Sequence, residues 1–576
     1  MLTNSLLAGA LGAAYLTVLV LQLNPQIPLL SDTTWRWYLT LCLFYGVHLA
    51  VTFYVVIVAR EFFALRVSSP GWASVRLLAW MGATAAAVAA LLMWLNVGGF
   101  HAALTEEAAW RMTAGATATT ASAVTLLGIA IAHYSFGRRG SRVGATLFSL
   151  AVFASLVLPV AARGRAVGPR SPISSTLDPQ VPITTAAPGP RVVMLLLDGA
   201  SLDYVLPRVA EGRLPAFARL LERAAVMDLA TIRPTQPDPV WAAVATGMYP
   251  SKNGVRSAAS YFARDDTRAV DLLPDYCLSH VLVNLGFIRD QPNAATTWRA
   301  RPLWSIVSGA GVSVGVTRWP LTYPADDVNG FIVSDRFHQL VGSVAEFERA
   351  ASPREILSEL EQAFAEPVSA IDPQLALNQL AGGTPEASAL RRDLMYSRAM
   401  RDLSAQMAPR LTALRYDGLD TVGHYYLRYT QPRTFRDVPE EDRRRFSQVI
   451  DRYYGFVDDE VGVALDRLQP GDLLLIVSGF GMQPVNPVKA AIGRLLGGDN
   501  VSGTHERAPD GFLIAYGTAA EPGRRQRGSI VDVTPTVLYF LGLPVARDMD
   551  GFARVDLLTR AFTAERPIVY IPSYSR

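Results

Sequence analysis

Five apolar stretches in the first third of the chain constrain the fold more than any other feature. Each is close to the ~20 residues that an α-helix needs to cross the hydrocarbon core of a bilayer. The stretches cover roughly Ser5–Leu23, Trp37–Val58, Leu77–Leu95, Met112–Ala132 and Val143–Ala162. A mean hydropathy of +0.21 over 576 residues agrees with a chain that lies partly in lipid. We therefore predict an α-helical membrane anchor of five transmembrane helices over residues 1–162.

The arginines of the connecting loops predict how this anchor is oriented. Three lie between the second and third stretches, Arg60, Arg66 and Arg76, and three lie between the fourth and fifth, Arg138, Arg139 and Arg142. The alternate loops contain only Arg36 and Arg111. Because Arg-rich loops stay in the cytoplasm, we expect the N-terminus inside and everything after Ala162 outside. The sequence thus predicts a multi-pass protein of the cell (inner or plasma) membrane with an extracytoplasmic C-terminal domain.

The remainder of the chain is predicted to be a linker followed by an α/β domain. Residues 163–190 are rich in proline and read as an extended linker. Over residues 191–576, continuous apolar runs such as Val192–Leu197 and Leu473–Val477 alternate with helical patterns. Such runs are typical of strands buried on both faces of a mostly parallel sheet flanked by helices. We also predict a helical insertion at about residues 340–410.

The charge balance excludes one class of function. The chain has 53 basic and 50 acidic residues, a formal net charge of +3. Nucleic-acid-binding proteins carry a clear basic excess. We therefore expect no nucleic-acid partner.

Seven motifs follow one another in the C-terminal part of the chain. They read VVMLLLDGASLDY, PTQPDPVWAAVATGMYPSKNGV, WPLTYPADDVNG, YDGLDTVGHYY, VSGFGM, GTHERAPDGFLIAYG and IVDVTPTVLYFLGLPVARDMDG. In this order they resemble the type I phosphodiesterase/nucleotide pyrophosphatase branch of the alkaline phosphatase superfamily, over about Arg191–Leu558. The resemblance implies an alkaline-phosphatase-like sheet and a site with two zinc ions and a Thr or Ser nucleophile. Two such ions would stabilise the attacking and the leaving oxygen of a displacement at phosphorus.

One of the two metal sites is complete at the positions that the family uses. Asp420, His424 and His505 match its Asp-His-His ligand set. Two histidines and one carboxylate leave a coordination position open, as in a catalytic zinc site. Asp198, directly after an apolar run, matches a ligand of the other metal. We predict at most one zinc ion per chain, bound by the first three residues with Asp198 beside it.

The rest of the second metal site and the nucleophile are missing. Gly479 and Phe480 stand where the family has an Asp-His pair, and neither can bind zinc. Pro237 stands at the position of the nucleophile, and proline has no hydroxyl group. Thr235 and Asp238 lie nearby as weak substitutes for the nucleophile. A structural threonine and a rigid turn residue between two prolines are the better interpretations of these two.

Two functions are compatible with this pattern. The simultaneous losses favour a pseudoenzyme that kept the fold and binds a phosphate-containing ligand or a membrane protein partner. The intact Asp-His-His set allows the alternative, an active one-zinc phosphoester hydrolase or phosphotransferase in which metal-bound water attacks. Fold alone does not establish activity. The lipid bilayer is the expected partner in both.

Overall fold

The computed structural model describes residues 1–63, 74–135, 142–163, 189–274, 281–341, 344–365, 384–431, 434–435, 438–495 and 501–574. The predicted linker therefore lies outside the described residues except at its two ends. The chain forms two compact units. The first comprises Met1–Arg170 with Ala259–Pro292, and the second comprises Ser171–Ala258 with Asn293–Arg576.

The N-terminal part of the first unit is a set of long apolar helices. They are α1 (Leu2–Leu23), α2 (Asp32–Leu41), α3 (Val47–Phe63), α4 (Val75–Phe100), α5 (Glu106–Ser135) and α6 (Arg142–Ala161). A π-helical turn, Cys42–Gly46, joins α2 to α3, so Asp32–Phe63 is one helical stretch.

Four helical stretches among the described residues are long and apolar enough to cross a membrane. They are Leu2–Leu23, Asp32–Phe63, Leu77–Phe100 and Glu106–Ala132. The apolar part of α6, Ala145–Ala161, is shorter. At a rise of about 1.5 Å per residue it falls short of the ~30 Å hydrocarbon core, so the fifth span stays a prediction.

The first unit also contains a hairpin from the middle of the chain, residues 259–292. Strands β3 (Ala259–Ala263) and β4 (Ile288–Pro292) pair antiparallel, with a short helix, Val281–Asn284, before β4. Apolar side chains of this hairpin pack against α1 and α2, among them Tyr261 and Val270 against Val20, Leu21 and Trp37. We name this segment the hairpin insertion. In sequence this segment falls within the predicted C-terminal domain, residues 191–576. In the structure its apolar side chains pack against α1 and α2, and it belongs to the first unit.

A buried asparagine fixes the hairpin insertion to the end of α1. The side-chain oxygen of Asn24 accepts hydrogen bonds from the backbone N–H groups of Asp271 (2.9 Å) and Leu272 (3.0 Å). Its amide donates to the carbonyl of Leu272 at 2.8 Å. Leu272 also packs with Phe100, Leu104 and other residues near the loop between α4 and α5. The hairpin insertion therefore covers the α1–α2 and α4–α5 loops at one end of the helices.

The second unit is built on a mixed, mostly parallel sheet, which confirms the predicted α/β fold. The strands of this sheet are β1 (Val192–Leu197), β2 (Ala225–Ala230), β5 (Val314–Thr317), β6 (Gly330–Val333), β7 (Ala351–Ser352), β8 (Leu411–Tyr416), β9 (Leu473–Phe480), β12 (Asp510–Tyr516), β13 (Gly523–Arg524) and β14 (Gly528–Ser529). Their order in the sheet is β13-β2-β12-β9-β1-β8-β5-β6-β7, with β14 beside β2. Two small sheets pair β10 (Gln483–Pro484) with β11 (Gly503–Thr504), and β15 (Val545–Ala546) with β16 (Tyr570–Ile571).

The central strands are parallel and lie between layers of helices. β1 pairs in parallel with β8 and β9, and its apolar residues are almost all buried. β12 runs antiparallel between β9 and β2. The described helices of eight or more residues are Leu202–Ala210, Pro237–Thr246, Leu357–Ala365, Pro385–Met407, Gly418–Thr430, Val449–Asp466, Pro487–Leu495 and Val533–Phe540. Shorter ones are Pro215–Leu221, Pro250–Asn253, Leu303–Gly309, Phe337–Leu340, Val344–Phe347, Glu440–Phe446 and Arg560–Glu565.

The region of the predicted helical insertion is helical in the residues that are described. It contains Leu357–Ala365 and Pro385–Met407, and residues 366–383 lie outside the description. Leu394, Tyr396 and Leu403 of the second helix are buried in the main core. This helix therefore forms part of the layer that covers the sheet.

A candidate metal centre beside a buried ion pair

The candidate site lies where the central parallel strands end. Asp198 follows β1, and Asp420 and His424 lie on the helix Gly418–Thr430 that follows β8. Gly199 lets the two strand ends approach each other. Its φ is +72°, and a Cβ there would lie 3.0 Å from the Cα of Asp420. A glycine is required because other residues disfavour this backbone conformation and would crowd Asp420.

Asp420, His424 and His505 converge as the sequence predicts. Their ligand atoms all lie within 4.8 Å of one another. The Nε2 atom of His424 is 3.4 Å from Asp420 Oδ2, and that of His505 is 4.0 Å from Oδ1. The three side chains are between 17% and 25% exposed, so an ion can reach them from solvent.

The backbone orients both imidazole rings toward the carboxylate. His424 Nδ1 lies 2.8 Å from the carbonyl oxygen of Gly503, and His505 Nδ1 lies 2.9 Å from that of Thr235. A hydrogen bond from Nδ1–H to a carbonyl leaves the lone pair of Nε2 available. This is the usual outer-shell arrangement of a metal-binding histidine.

A metal ion fits this donor set. Asp420 Oδ1 is buried and has no hydrogen-bond partner. Leaving a buried carboxylate oxygen unpaired costs free energy, which a bound cation would remove. Two imidazole nitrogens and one carboxylate suit a divalent transition metal such as zinc.

Asp198, the fourth predicted ligand, is bound by protein groups instead. It is fully buried, and its Oδ1 accepts a hydrogen bond from the indole N–H of Trp241 at 2.6 Å. Arg415 Nε lies 3.1 Å from both carboxylate oxygens, and a terminal guanidinium nitrogen lies 2.5 Å from Oδ2. Burial raises the pKa of Asp198, and the charge of Arg415 opposes this rise. The sequence predicts Asp198 beside the metal bound by the other three residues, and in the structure its two oxygens accept hydrogen bonds from Trp241 and Arg415.

Comparison with known proteins then decides the family. A family model described as type I phosphodiesterase / nucleotide pyrophosphatase matches residues 192–506. The chain belongs to this phosphodiesterase family. Two similar solved structures are murine ectonucleotide pyrophosphatase / phosphodiesterase 5 and an inactive variant of it in complex with AMP. Each is 12% identical, has a TM-score of 0.40, and covers 64% of this chain and 100% of its own. No curated protein matches the chain.

At the three positions where the sequence predicts that the family's nucleophile and two metal ligands are lost, the structure shows packing contacts or a helix start. The ring of Phe480 lies 5.0 Å from that of His505, centroid to centroid. A Cβ on Gly479 would lie 2.4 Å from Cγ1 of Val240. Pro237 is the first residue of the helix Pro237–Thr246, a position at which proline is favoured. None of these three side chains offers a donor to a metal or a hydroxyl to phosphorus.

The two weak substitutes for the nucleophile differ in their surroundings. Thr235 is buried, and its hydroxyl donates to the carbonyl of Ile232 at 2.8 Å. Since its own carbonyl orients His505, Thr235 has a structural role in the centre. Asp238 is half-buried and accepts a hydrogen bond from the amide of Asn293 at 3.2 Å. Burial raises the pKa of the Asp238 carboxyl to about 6.

Sequence reasoning missed Arg415. The only signal was a charged residue inside an otherwise apolar strand, β8, which reads LTALRY. Its importance comes from the register, which places Arg415 beside Leu196 and so within reach of Asp198.

Proposed function

We propose that this chain is a membrane-anchored, extracytoplasmic phosphodiesterase-like protein that holds one metal ion and is a pseudoenzyme of its family. Its role is then to bind a phosphate-containing ligand or a membrane protein partner. The observation that carries this proposal is that protein groups occupy the nucleophile position and the second metal site. Pro237, Gly479 and Phe480 provide no reactive or metal-binding group there.

Asp420, His424 and His505 would hold the metal ion, with zinc as the expected element. Such an ion would act as a Lewis acid toward a phosphoryl oxygen of a bound ligand. The carbonyls of Gly503 and Thr235 keep the two imidazoles in position. Without a hydroxyl at position 237, no covalent phosphoryl-enzyme forms. Losing one element of linked catalytic machinery typically lowers the rate by orders of magnitude.

One observation favours the alternative, a one-metal phosphoester hydrolase or phosphotransferase. Asp238 directly follows the nucleophile position, and its carboxyl pKa of about 6 is close to the pH at which a general base works best. A half-buried carboxylate of this kind is suited to accept a proton from an attacking water or alcohol.

The hairpin insertion supports the proposed membrane topology. It covers the α1–α2 and α4–α5 loops, and it belongs to the chain that follows the linker. We infer that those loops lie on the same side of the membrane as the hairpin insertion. In sequence the Arg-rich loops alternate with the covered ones, and Arg-rich loops are expected in the cytoplasm, so we expect the covered loops outside it. A reporter enzyme fused after Gly189 should be active only outside the cytoplasm, and activity only in the cytoplasm would refute this topology.

Metal content and turnover of the full-length protein in detergent test the proposed function. We expect one equivalent of metal per chain by plasma mass spectrometry, lost in His424→Ala and in His505→Ala. His101→Ala, an exposed histidine outside the site, is the matched control and should keep the metal. We expect negligible hydrolysis of nucleotide and aryl phosphodiesters and no covalent phosphoryl intermediate.

Two results would contradict this function. Two equivalents of metal, or one that does not depend on either histidine, would refute the single-site assignment. Robust turnover that disappears in His424→Ala would replace the pseudoenzyme by the one-metal hydrolase. In that event Asp238→Asn should abolish the activity while leaving the metal bound.

A further inference from the structure

Asp198 is a fully buried carboxylate at the end of β1, so its negative charge requires a cation nearby. The family resemblance assigns this residue to the second metal ion, yet the neighbouring donors that such an ion needs are absent. Gly479, Phe480 and Pro237 supply no ligand atom, and both Asp198 oxygens already accept hydrogen bonds. With the guanidinium of Arg415 on both oxygens of Asp198, the residues present therefore do not fit a second metal ion.

Arg415 meets the geometric requirements of a replacement cation. Its guanidinium contacts both oxygens of Asp198 at 2.5–3.1 Å, a forked arrangement that matches a carboxylate. The Asp198 side chain is 1% exposed and that of Arg415 is 11% exposed. A carboxylate buried to this degree must be paired with a cation, because an unpaired buried charge is strongly unfavourable.

The wider surroundings of Arg415 are acidic as well. The charges of Asp198, Asp417 and Asp238 all act on Arg415 and raise its pKa, against the effect of burial. Arg415 therefore stays charged and carries the positive charge of this half of the site. A divalent ion bound to Asp198 would lie within a few ångströms of the guanidinium, where the two cations repel each other.

We propose that the guanidinium of Arg415 takes the place of the second metal ion, neutralising Asp198 and restricting the site to one metal. The inference deepens the proposed function, since it assigns a cause to the single-metal stoichiometry. It predicts that removing the charge of Arg415 opens a cation site at Asp198. It also predicts that Asp198 contributes nothing to binding of the metal held by the histidines.

The experiment measures metal content of full-length variants after dialysis against millimolar Zn²⁺ or Mn²⁺. Arg415→Gln removes the charge and brings an amide oxygen, a possible metal donor, next to Asp198, so we expect one equivalent more than in the wild type. Arg415→Gln combined with Asp198→Asn should lose that extra equivalent. Arg415→Lys keeps the charge and should gain no metal.

A second buried arginine provides a matched control. Arg318 forms ion pairs with Asp393 and Asp417 rather than with Asp198, and its side chain is 1% exposed. Arg318→Gln should lose thermal stability and gain no metal. A gain of metal in this variant would mean that any buried arginine can be exchanged for an ion, which would overturn the specific role of Arg415.

Asp198→Asn keeps the inference testable if Arg415→Gln does not accumulate. Its metal content should equal that of the wild type, because Asp198 is paired with Arg415 rather than with the metal. Loss of metal in Asp198→Asn, or no gain in Arg415→Gln, would overturn the inference. The proposed function is judged separately, by the wild-type stoichiometry and its dependence on His424 and His505.

Discussion

The steric conflict at Gly479 provides a prediction that can be worked through in numbers. Gly479 lies in strand β9, and an added Cβ would lie 2.4 Å from Cγ1 of Val240, which is fully buried. No Cβ–carbon contact is tolerated at that distance, so Gly479→Ala must displace the helix Pro237–Thr246 or the strand. Overpacking of this kind costs about 1–3 kcal/mol. The gain in strand propensity from replacing glycine offsets roughly 0.5–1 kcal/mol of that.

Val240→Ala removes the opposing methyl groups and should relieve the conflict. Alone it leaves a cavity and costs about 1–3 kcal/mol, judged from the deletion of buried methyl groups. In the double variant the new Cβ occupies part of that cavity. We therefore expect the double variant to be less destabilised than the sum of the single ones, with a coupling of about 1–2 kcal/mol.

Thermal unfolding of the four proteins in detergent, followed by tryptophan fluorescence, measures this cycle. For a domain of this size, 1 kcal/mol corresponds to a Tm change of roughly 1–2 °C. Gly455→Ala is the matched control, because Gly455 lies within the helix Val449–Asp466 and its added Cβ meets no atom within 4 Å. It should leave Tm unchanged or raise it. If the losses of stability of the two single variants add up in the double variant, or if Gly479→Ala leaves Tm unchanged, Val240 does not block this position.

Two further predictions concern Asp238 and Asn24. The Asp238 carboxyl has a pKa of about 6 in the folded chain and near 4 when unfolded, so the folded state binds more protons and stability falls as pH rises from about 4 to 6. Asp238→Asn should therefore be more stable than the wild type by about 2–3 kcal/mol at pH 8, and the difference in Tm should vanish near pH 4. An equal difference at both pH values would contradict the raised pKa. Asn24→Ala removes the side-chain oxygen that accepts hydrogen bonds from the N–H groups of Asp271 and Leu272, so amide hydrogen exchange over residues 266–274 should rise. Unchanged exchange would show that Asn24 does not hold the hairpin insertion.

Much of the fold and one half of the site could be predicted from local patterns. The apolar run Val192–Leu197 is strand β1 in the structure, and Leu473–Val477 lies within β9. Both are apolar over their whole length because helices cover the sheet on its two faces. Asp420 and His424 are four residues apart and lie on the helix Gly418–Thr430, where this spacing puts them on one face. Such features depend on residues close together in the chain.

Other features depend on contacts between distant residues and could not be predicted in this way. In sequence, the apolar residues of the hairpin insertion cannot be distinguished from those of other pairs of strands. Only the folded chain shows that they pack against α1 and α2. Likewise, the space beside Gly479 is filled by Val240, more than 200 positions earlier in the chain.

The sequence by itself determined which side chains are available: Asp420, His424 and His505 as candidate metal donors, and Pro237, Gly479 and Phe480 where the family resemblance leads us to expect a hydroxyl and two further donors. The tertiary structure decided what happens to the carboxylate that remained. The parallel pairing of β1 with β8 places Leu196 beside Arg415, and the guanidinium then reaches both oxygens of Asp198. No local pattern contains this pairing, because it depends on the register of two strands more than 200 residues apart. A buried carboxylate is strongly unfavourable without a cation, and here the fold supplies that cation from within the protein.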